Sequence, residues 1–254
     1  MSATAVSAVA HLDLDPIDLD ELVRQAELLT RVDRKYVLPV DSARALLQVV
    51  PDGTRILEIN GRRDFGYRST YLDTPDRTSY LDAGRSRRRR WKVRTRSYLE
   101  TGTSWLEVKT RVARDQSQKQ RVEHAAVSSS SPLTLEGVDF VASALDLATA
   151  LTLRPVLTTS YRRATLYLPS TGSRVTVDVD LAWESMRDQR VLERPGLAVI
   201  ETKTGATPSD MDRLLWAHGH RPVRMSKYGL GMAALQPDLP PLKWYRPLNR
   251  YLGS

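Results

Sequence analysis

Polar and apolar residues alternate along several stretches of this chain, and a period of two predicts β-strands rather than helices. The clearest alternation lies in residues 90–111, where a turn at residues 100–103 separates two runs and predicts a hairpin. One predicted face carries the charged side chains of both runs, namely Lys92, Arg94, Arg96, Glu107, Lys109 and Arg111. The other face carries Trp91, Val93, Leu106 and Val108, and we expect it to pack on helices.

Ionisable side chains recur at every second position in other segments of the chain. These segments contribute Arg31, Asp33 and Lys35, then Lys119 and Arg121, then Arg174 and Asp178, and finally Glu201 and Lys203. Six charged strands in one domain are hard to explain as an outer surface, because solvent-exposed faces usually mix positive and negative charges, whereas cations dominate here. We therefore predict an α+β fold, in which an antiparallel β-barrel of about eight strands forms a charged tunnel with helices packed on the outside.

Helical patterns separate the predicted strands. They cover residues 16–29, 41–50, 135–150, 209–218 and 227–235. Residues 55–60 and 66–73 are interpreted as a pair of strands joined by a polar turn. The domain organisation predicted from these patterns is a flexible N-terminus at residues 1–15, one tunnel domain at residues 16–235, and a C-terminal tail at residues 236–254.

Composition narrows the class of protein. The 254 residues include no cysteine, which excludes disulfides and thiolate metal sites. No apolar run reaches the roughly 18 residues that span a bilayer, and the start lacks a basic region typical of a secretory signal. We therefore expect a cytoplasmic protein with no membrane segment. The net charge of +8 predicts an anionic partner, which could be nucleic acid, a membrane surface or a phosphate-rich small molecule.

The charged faces allow three interpretations: a tunnel or cleft for an anion, a nucleic-acid surface, or a solvated sheet face. Nucleic-acid binding favours aromatic rings interleaved with exposed cations. Near the hairpin the candidates are Trp91, Tyr98 and Trp105, and we interpret their positions as differing in parity from the main row of cations, so that rings and cations would lie on different strand faces. This interpretation weakens the nucleic-acid alternative, and we expect no nucleic-acid partner.

Eight short motifs carry a resemblance to a known family. In chain order they are RVDRKYVLP, YLDTPD, WKVRTR, LEVKTR, TSYRRATLY, RVTVDVDL, IETKTG and SKYGLG. Together they resemble the VTC domain, the polyphosphate polymerase domain of the vacuolar transporter chaperone family, within the CYTH-like triphosphate tunnel metalloenzyme superfamily. The resemblance covers roughly residues 31–235 and implies a basic tunnel that binds triphosphates. It also implies a phosphotransferase with ATP and polyphosphate as partners, which uses Mn²⁺ or Mg²⁺ to transfer the γ-phosphoryl group of ATP onto a polyphosphate chain.

The resemblance also implies roles for individual residues. Lys35 matches a tunnel lysine near the transferred phosphate, and Arg94 and Arg96 match a pair of phosphate-binding arginines, so these three are the expected catalytic residues. Glu201 matches the carboxylate that holds the metal. Further matches to phosphate-binding positions are Lys109, Lys119, Arg163, Arg174 and Lys227. The strand pattern adds four more candidate phosphate-binding residues, which are Lys92, Arg111, Arg121 and Lys203.

Several carboxylates have two possible roles at this stage. Glu107 is a second candidate metal ligand, with the alternative that it only pairs with Lys109 or Lys92. Lys203 could likewise only pair with Glu201. Asp178 and Asp180 could bind metal or hold neighbouring arginines in place.

The chain departs from its hydrolytic relatives in the first charged strand. Those relatives carry an ExExK pattern that binds metal, whereas this chain has Arg31, Asp33 and Lys35. The loss of both glutamates favours a polymerase over a triphosphatase. Arg111 also stands where the eukaryotic family places a histidine. A hydrolase of triphosphate or short polyphosphate, and a non-catalytic polyphosphate-binding module, remain the alternatives.

Overall fold

The computed structural model describes residues 12–25, 32–111, 117–124 and 133–253. Three parts of the sequence predictions lie outside these residues. They are residues 1–11 of the N-terminal segment, residues 26–29 of the first predicted helix, and Arg31 of the first charged strand.

The elements alternate between strands and short helices along the chain. The first half contains β1 (Asp15–Ile17), α1 (Leu19–Gln25), β2 (Val32–Pro39), α2 (Val40–Leu47), β3 (Arg55–Leu57), β4 (Asp64–Asp73), α3 (Thr78–Gly84), β5 (Arg90–Tyr98), β6 (Ser104–Arg111) and β7 (Ser117–Glu123). The second half contains α4 (Leu135–Ala144), α5 (Leu147–Thr152), β8 (Arg154–Leu168), β9 (Ser173–Ser185), β10 (Val191–Arg194), β11 (Leu197–Thr204), α6 (Asp210–Ala217), α7 (Lys227–Leu235) and α8 (Tyr245–Tyr251).

The strands form one hydrogen-bonded sheet in the order β2-β11-β9-β8-β4-β5-β6-β7, with β1, β3 and β10 attached at its side. The registered pairs along this order are antiparallel, whereas β1 and β3 pair in parallel. The α+β class with a large antiparallel sheet is therefore confirmed. Among the described residues the pairing order is open, with β2 at one end and β7 at the other, rather than the closed ring expected of a barrel.

The chain divides into two compact units. Unit 1 comprises Met1–Gly66, Tyr161–Leu181 and Glu193–Arg224, and unit 2 comprises Tyr67–Ser160, Ala182–Leu192 and Met225–Ser254. The long strands β8 and β9 contribute residues to both units.

In unit 1, period-two alternation gives the paired strands β2, β11 and β9 two different faces. The apolar face packs with α2 and α6 into one buried cluster, which includes Tyr36, Leu38, Val175, Val177 and Ile200. Burying this face fixes which strand positions point away from the core. Lys35, Glu201 and Lys203 occupy those alternate positions, so the core determines where the charges lie.

A buried aspartate ties α6 to the sheet in unit 1. Asp212 is fully buried and accepts hydrogen bonds from the hydroxyls of Tyr36 and Thr202, each at 2.7 Å. It also completes a capping box with Ser209, whose backbone N–H donates to it at 2.8 Å. Because these partners sit beside Lys35, Glu201 and Lys203 in sequence, this network helps to hold the charged strands in place.

In unit 2, the apolar face of the charged hairpin packs against α4 and α5. Val93, Leu106 and Val108 are at most 1% exposed and share a cluster with Leu133, Val141, Ala150 and Leu153. The prediction that this face packs on helices is confirmed. The hairpin therefore has one face in the core and one face that presents charge.

Two glycines allow aromatic rings to pack directly on α7 in unit 2. A β-carbon at Gly229 would lie 2.3 Å from the Trp244 ring, and one at Gly231 would lie 2.3 Å from the Trp183 ring. Trp244 comes from the C-terminal segment, which contains a 3-10 turn at Leu242–Trp244 followed by α8. The glycines of the SKYGLG motif thus serve close packing.

Two local predictions were wrong. The helix predicted at residues 135–150 is broken into α4 and α5, because Asp146 caps the second helix through the backbone N–H of Thr149 at 2.7 Å. The segment at residues 55–60 does not pair with β4. Instead, β3 pairs with β1 and β8.

We expect Asp212→Ala to lower the free energy of unfolding by about 2–4 kcal/mol, because it leaves several buried donors without an acceptor. Chemical denaturation at neutral pH measures this change. Asp41→Ala is the control, since the Asp41 side chain is 91% exposed and its ion pair with Arg44 spans one helical turn. The control should change stability by no more than about 0.5 kcal/mol. Equal effects of the two substitutions would contradict a structural role for the Asp212 network.

Candidate functional site

The charged face of unit 2 is built from side chains in register on four strands. Arg94 on β5 lies opposite Tyr71 on β4 and Glu107 on β6, and Glu107 lies opposite Arg121 on β7. The next row along the strands pairs Lys92 with Lys109 and Lys109 with Lys119. The predicted sharing of one face by the cations of β5, β6 and β7 is therefore confirmed for the described residues.

Glu107 holds this face together. Its carboxylate accepts hydrogen bonds from Arg94 Nε and from Lys119 Nζ, each at 2.7 Å, and Arg96 Nη1 lies 4.0 Å away. Burial alone would raise the pKa of Glu107, but the charges of Arg94, Arg96 and Lys119 lower that pKa to about 2. Arg94 and Lys119 are partners that the sequence analysis did not suggest for Glu107.

The two arginines of the WKVRTR motif differ in how their donors are used. Arg94 gives Nε and Nη2 to Glu107 and Nη1 to the hydroxyl of Tyr71, at 3.2 Å. Arg96 is 11% exposed in its side chain, and its buried Nε has no hydrogen-bond partner within the described residues. A buried donor without a partner is costly, so Arg96 is the arginine better suited to receive a phosphate oxygen.

An aromatic network supports this face, and the sequence analysis missed it. Tyr71 stacks on Tyr228 of α7 with ring centroids 4.8 Å apart, and the Tyr228 hydroxyl donates to Asp73. Burial raises the pKa of Asp73, while bonds from Tyr228 and the backbone N–H groups of Ser79 and Tyr80 lower it. Asp73 and Tyr228 lie in the YLDTPD and SKYGLG motifs, so the motifs themselves were the available signal.

The remaining predicted cations of unit 2 lie around this network. Lys92 Nζ is 6.0 Å from the centroid of the Tyr228 ring, and the Arg121 guanidinium is 4.7 Å from that of Trp105. Burial lowers the pKa of Lys119 to about 8, although Glu107 raises it. Lys109 is exposed, and Arg111 lies opposite Arg90. Lys227 begins α7, where its carbonyl oxygen accepts from Trp183 Nε1 at 2.9 Å.

We predicted that the three aromatic residues near the hairpin lie on the strand face opposite to the cations. This prediction was wrong for two of them. Trp105 lies directly opposite Arg96 in the β5–β6 register, and Tyr98 shares the parity of Arg94 and Arg96. Trp91 remains on the apolar face, where it packs with the unit 2 core cluster. The charged face therefore contains aromatic rings as well as cations.

Unit 1 carries a second cluster of predicted residues on β2 and β11. Glu201 Oε1 lies 2.7 Å from Lys203 Nζ and 3.1 Å from Lys35 Nζ, and Lys35 and Glu201 are register partners. Burial alone would raise the pKa of Glu201, but Lys203 and Lys35 hold it well below its usual value. Burial also lowers the pKa of Lys203 to about 8 against the opposing charge of Glu201.

Asp178 positions an arginine beside this cluster. Arg163 Nε and Nη2 donate to the two oxygens of Asp178, at 2.5 and 2.8 Å, in a bidentate pair. Asp178 is fully buried, which matches the alternative that it holds an arginine in place. Arg174 on β9 is the register partner of Lys203. Asp180 lies in the field of Arg162 and Asp64, and its pKa is raised by burial.

The carboxylate oxygens at this cluster suit a metal ion that also binds the phosphates of a ligand. Among the described residues, no group of three or more His, Asp or Glu side chains could hold a metal ion by itself. Both lysine contacts of Glu201 use Oε1, so Oε2 is the oxygen that could bind a cation. Mg²⁺ commonly binds to one or two carboxylates together with substrate phosphates, and Glu201 fits that pattern. Glu107 fits it less well, because both of its oxygens accept hydrogen bonds, Oε2 from Arg94 and Oε1 from Lys119.

No helix in the part of the chain that the structure describes is both long and apolar enough to cross a membrane.

Taken together, the sheet and its charged faces define an α+β protein whose cation-rich strand faces suit an anionic ligand. The VTC domain family matches residues 30–236, which is most of the chain. The chain belongs to the VTC domain family. No curated protein matches the sequence.

Solved structures offer distant likenesses. A candidate adenylyl cyclase from Hippeastrum, described as having a dominant triphosphatase activity, is 15% identical with a TM-score of 0.49, and the match covers 80% of this chain and 96% of that one. A candidate adenylate cyclase from Bacillus halodurans is 12% identical with a TM-score of 0.48, covering 78% and 94% of the two chains. The PH1819 protein from Pyrococcus horikoshii is 12% identical with a TM-score of 0.45, covering 78% and 96%. All three identities are low, so the family assignment rests on the VTC domain match.

We expect Glu107→Gln to lower the free energy of unfolding at pH 7 by an amount on the order of 3 kcal/mol. The folded-state pKa of Glu107 is depressed from 4.5 to about 2, so its contribution is fully present above about pH 4.5 and is lost as the pH falls towards 2. At pH 3 the difference between parent and variant should be smaller by about 2 kcal/mol. Denaturant unfolding at the two pH values measures it.

The control for this experiment is Glu184→Gln, which removes a surface pair with Arg68 at 3.3 Å. It should change stability at pH 7 by no more than about 0.5 kcal/mol. A difference between Glu107→Gln and the parent that is the same at pH 7 and pH 3 would rule out the proposed charge pairing.

Proposed function

We propose that this chain is a polyphosphate polymerase that transfers the γ-phosphoryl group of ATP onto the end of a polyphosphate chain. Membership of the VTC domain family supports this proposal. The observation that carries it is that lysines and arginines outnumber carboxylates on the charged face of unit 2, while Glu107 and Glu201 are already ion-paired. Such faces suit binding of a long polyanion better than a hydrolytic site built on several metal-binding carboxylates.

The reaction asks for positioning and charge neutralisation rather than for covalent chemistry by the protein. The bond between the γ-phosphorus and the bridging oxygen of ATP breaks, a terminal phosphate oxygen of the acceptor chain bonds to that phosphorus, and ADP leaves with the electron pair. In unit 2, Arg96 would bind phosphate oxygens directly. Arg94 would act through Glu107 and Tyr71, which hold its guanidinium in one orientation.

The cluster of unit 1 is a second group of cations that would bind phosphates. Lys35, Lys203 and Arg163 offer three cations around one carboxylate, and each is oriented by an ion pair with Glu201 or Asp178. Because the pKa of Lys203 is lowered to about 8 by burial, a nearby phosphate would favour its charged form. Glu201 is the residue that would share Mn²⁺ or Mg²⁺ with the phosphates, and such an ion would neutralise charge on the phosphate oxygens. Under this proposal the tunnel and the single domain predicted at residues 16–235 remain expectations.

We expect purified protein incubated with ATP and Mn²⁺ to produce a ladder of polyphosphate together with ADP. Arg96→Ala should lower kcat/KM by roughly 10- to 150-fold, which is the value of one lost charge-assisted hydrogen bond. Gel electrophoresis of polyphosphate and an ADP assay measure the two products. Arg187→Ala is the control, since Arg187 is 61% exposed and pairs with Asp238 at the surface.

Two outcomes of that experiment would count against the proposal. Inorganic phosphate without a ladder would indicate a hydrolase of triphosphate or short polyphosphate. Polyphosphate binding without turnover of ATP would indicate a non-catalytic binding module.

We expect Glu201→Gln to abolish turnover while polyphosphate binding is retained. The amide cannot share a divalent cation as a carboxylate does, whereas Lys35 and Lys203 keep their charge. Turnover across a titration of Mn²⁺ and Mg²⁺, and polyphosphate binding by calorimetry, provide the two readouts. Glu193→Gln at an exposed position of unit 1 is the matched control. Unchanged turnover in Glu201→Gln would exclude Glu201 as the metal-binding residue.

A further inference from the structure

The charged face of unit 2 has two chemically different ends. Cations occupy one end, where Lys92, Lys109 and Lys119 form one row and Arg90 and Arg111 form the next. Aromatic rings occupy the other end, where Tyr67 lies opposite Tyr98 and Trp105 lies opposite Arg96. Lys109 lies four positions after Trp105, which places the two ends roughly 13 Å apart along β6.

At the aromatic end, three side chains of different chemistry lie close together, namely Trp105, Arg121 and Glu123. The Arg121 guanidinium lies 4.7 Å from the centroid of the Trp105 ring, and both Arg121 and Glu123 are exposed on β7. Glu123 is the register partner of Trp105. A flat ring, a planar cation and a hydrogen-bond acceptor therefore meet at one place on the sheet.

Neither bare phosphate nor a purely apolar group suits this place. An exposed carboxylate at Glu123 repels a phosphate, and Arg121 and Glu123 together make the surroundings polar. A nucleobase suits all three side chains, because its flat face stacks on an indole or a guanidinium and its amino group can donate to a carboxylate. The phosphates of the same nucleotide would then extend towards the cationic end.

We propose that Trp105, Arg121 and Glu123 form a nucleobase-binding site. A purine with an amino group would stack on Trp105, and the attached phosphates would run along β5 and β6 past Arg96 towards Lys92 and Lys109. This inference deepens the proposed function, since it makes ATP rather than inorganic tripolyphosphate the preferred triphosphate. Base recognition and phosphoryl transfer are separable, so each can be present without the other.

The position of Arg96 supports the direction of the nucleotide. Its buried Nε has no hydrogen-bond partner in the described part of the chain, and it lies directly between the row of Tyr67 and Tyr98 and the row of Arg94. A phosphate next to the sugar would reach this donor when the base is on Trp105. Glu107 and Lys119 lie further along the same face, beyond the position of the base.

The test compares the binding of ATP with that of inorganic tripolyphosphate, which carries the phosphates without the base. Both affinities are measured by isothermal titration calorimetry on the full chain without added metal. We expect the parent to bind ATP more tightly than tripolyphosphate. Trp105→Leu should weaken ATP binding by roughly 5- to 150-fold, which is the value of one stacking contact, and leave tripolyphosphate binding unchanged.

Two further variants distinguish the loss of a specific contact from a loss of folding. Trp105→Phe keeps an aromatic face and should retain much of the preference for ATP, and Glu123→Gln should lower the affinity for ATP without lowering that for tripolyphosphate. Arg96→Ala serves as the phosphate control and should weaken both ligands. Circular dichroism of every variant confirms the fold.

The inference is overturned if the parent binds the two ligands equally, or if Trp105→Leu weakens both ligands to the same extent in a folded protein. Either result would overturn the nucleobase-binding site and would not count against the proposed polyphosphate synthesis. Conversely, a clear preference for ATP that depends on Trp105, in a protein that makes no polyphosphate, would support the base site and remove only the proposed polymerase activity.

Discussion

Repulsion between neighbouring lysines and arginines is the constraint on which the charged strands of this protein depend. Strands that place cations side by side are unfavourable unless opposite charge lies among them. Glu107, Glu201 and Asp178 supply that charge, and all three bind their cations at hydrogen-bonding distance. Each of these carboxylates is buried or nearly so, and a buried charge in turn requires such partners. The cations and carboxylates therefore stabilise each other.

This mutual dependence divides the cations into two kinds. Arg94 and Arg163 are held by bidentate or multiple contacts to a carboxylate, and their orientation is set before any ligand arrives. Arg96 keeps a buried donor without a hydrogen-bond partner within the described residues. A site made in this way needs little reorganisation when a phosphate binds, which is the property that electrostatic catalysis relies on. The aromatic stack of Tyr71 on Tyr228 extends this rigidity into the core of unit 2.

Local sequence patterns predicted much of this arrangement. Alternation between Lys92 and Arg96 assigned the correct side chains to the charged face, because strand geometry leaves only two faces. The pairing of Glu107 with Arg94 and Lys119 could not be predicted, since it depends on side-chain rotamers and on neighbours across the strands. The contact of Tyr228 with Asp73 joins residues 155 positions apart, and no local pattern encodes it. The pairing of β3 with β1 and β8 was missed for the same reason, because proximity in sequence favoured β4 as its partner.

The hairpin of β5 and β6 also limits how the length of this chain can change. Its turn contains Gly102 at a φ of +68° and lies outside both alternating runs, so added residues there alter neither face. Inside β5 the situation differs, because one inserted residue would send every following side chain to the opposite face. Arg94 and Arg96 would then point into the core cluster that contains Leu106 and Val108. The insertion would disrupt the apolar face and the charged face of the strand at the same time. Insertions and deletions among descendants of this sequence should therefore accumulate in the turn and be absent from the strands on either side.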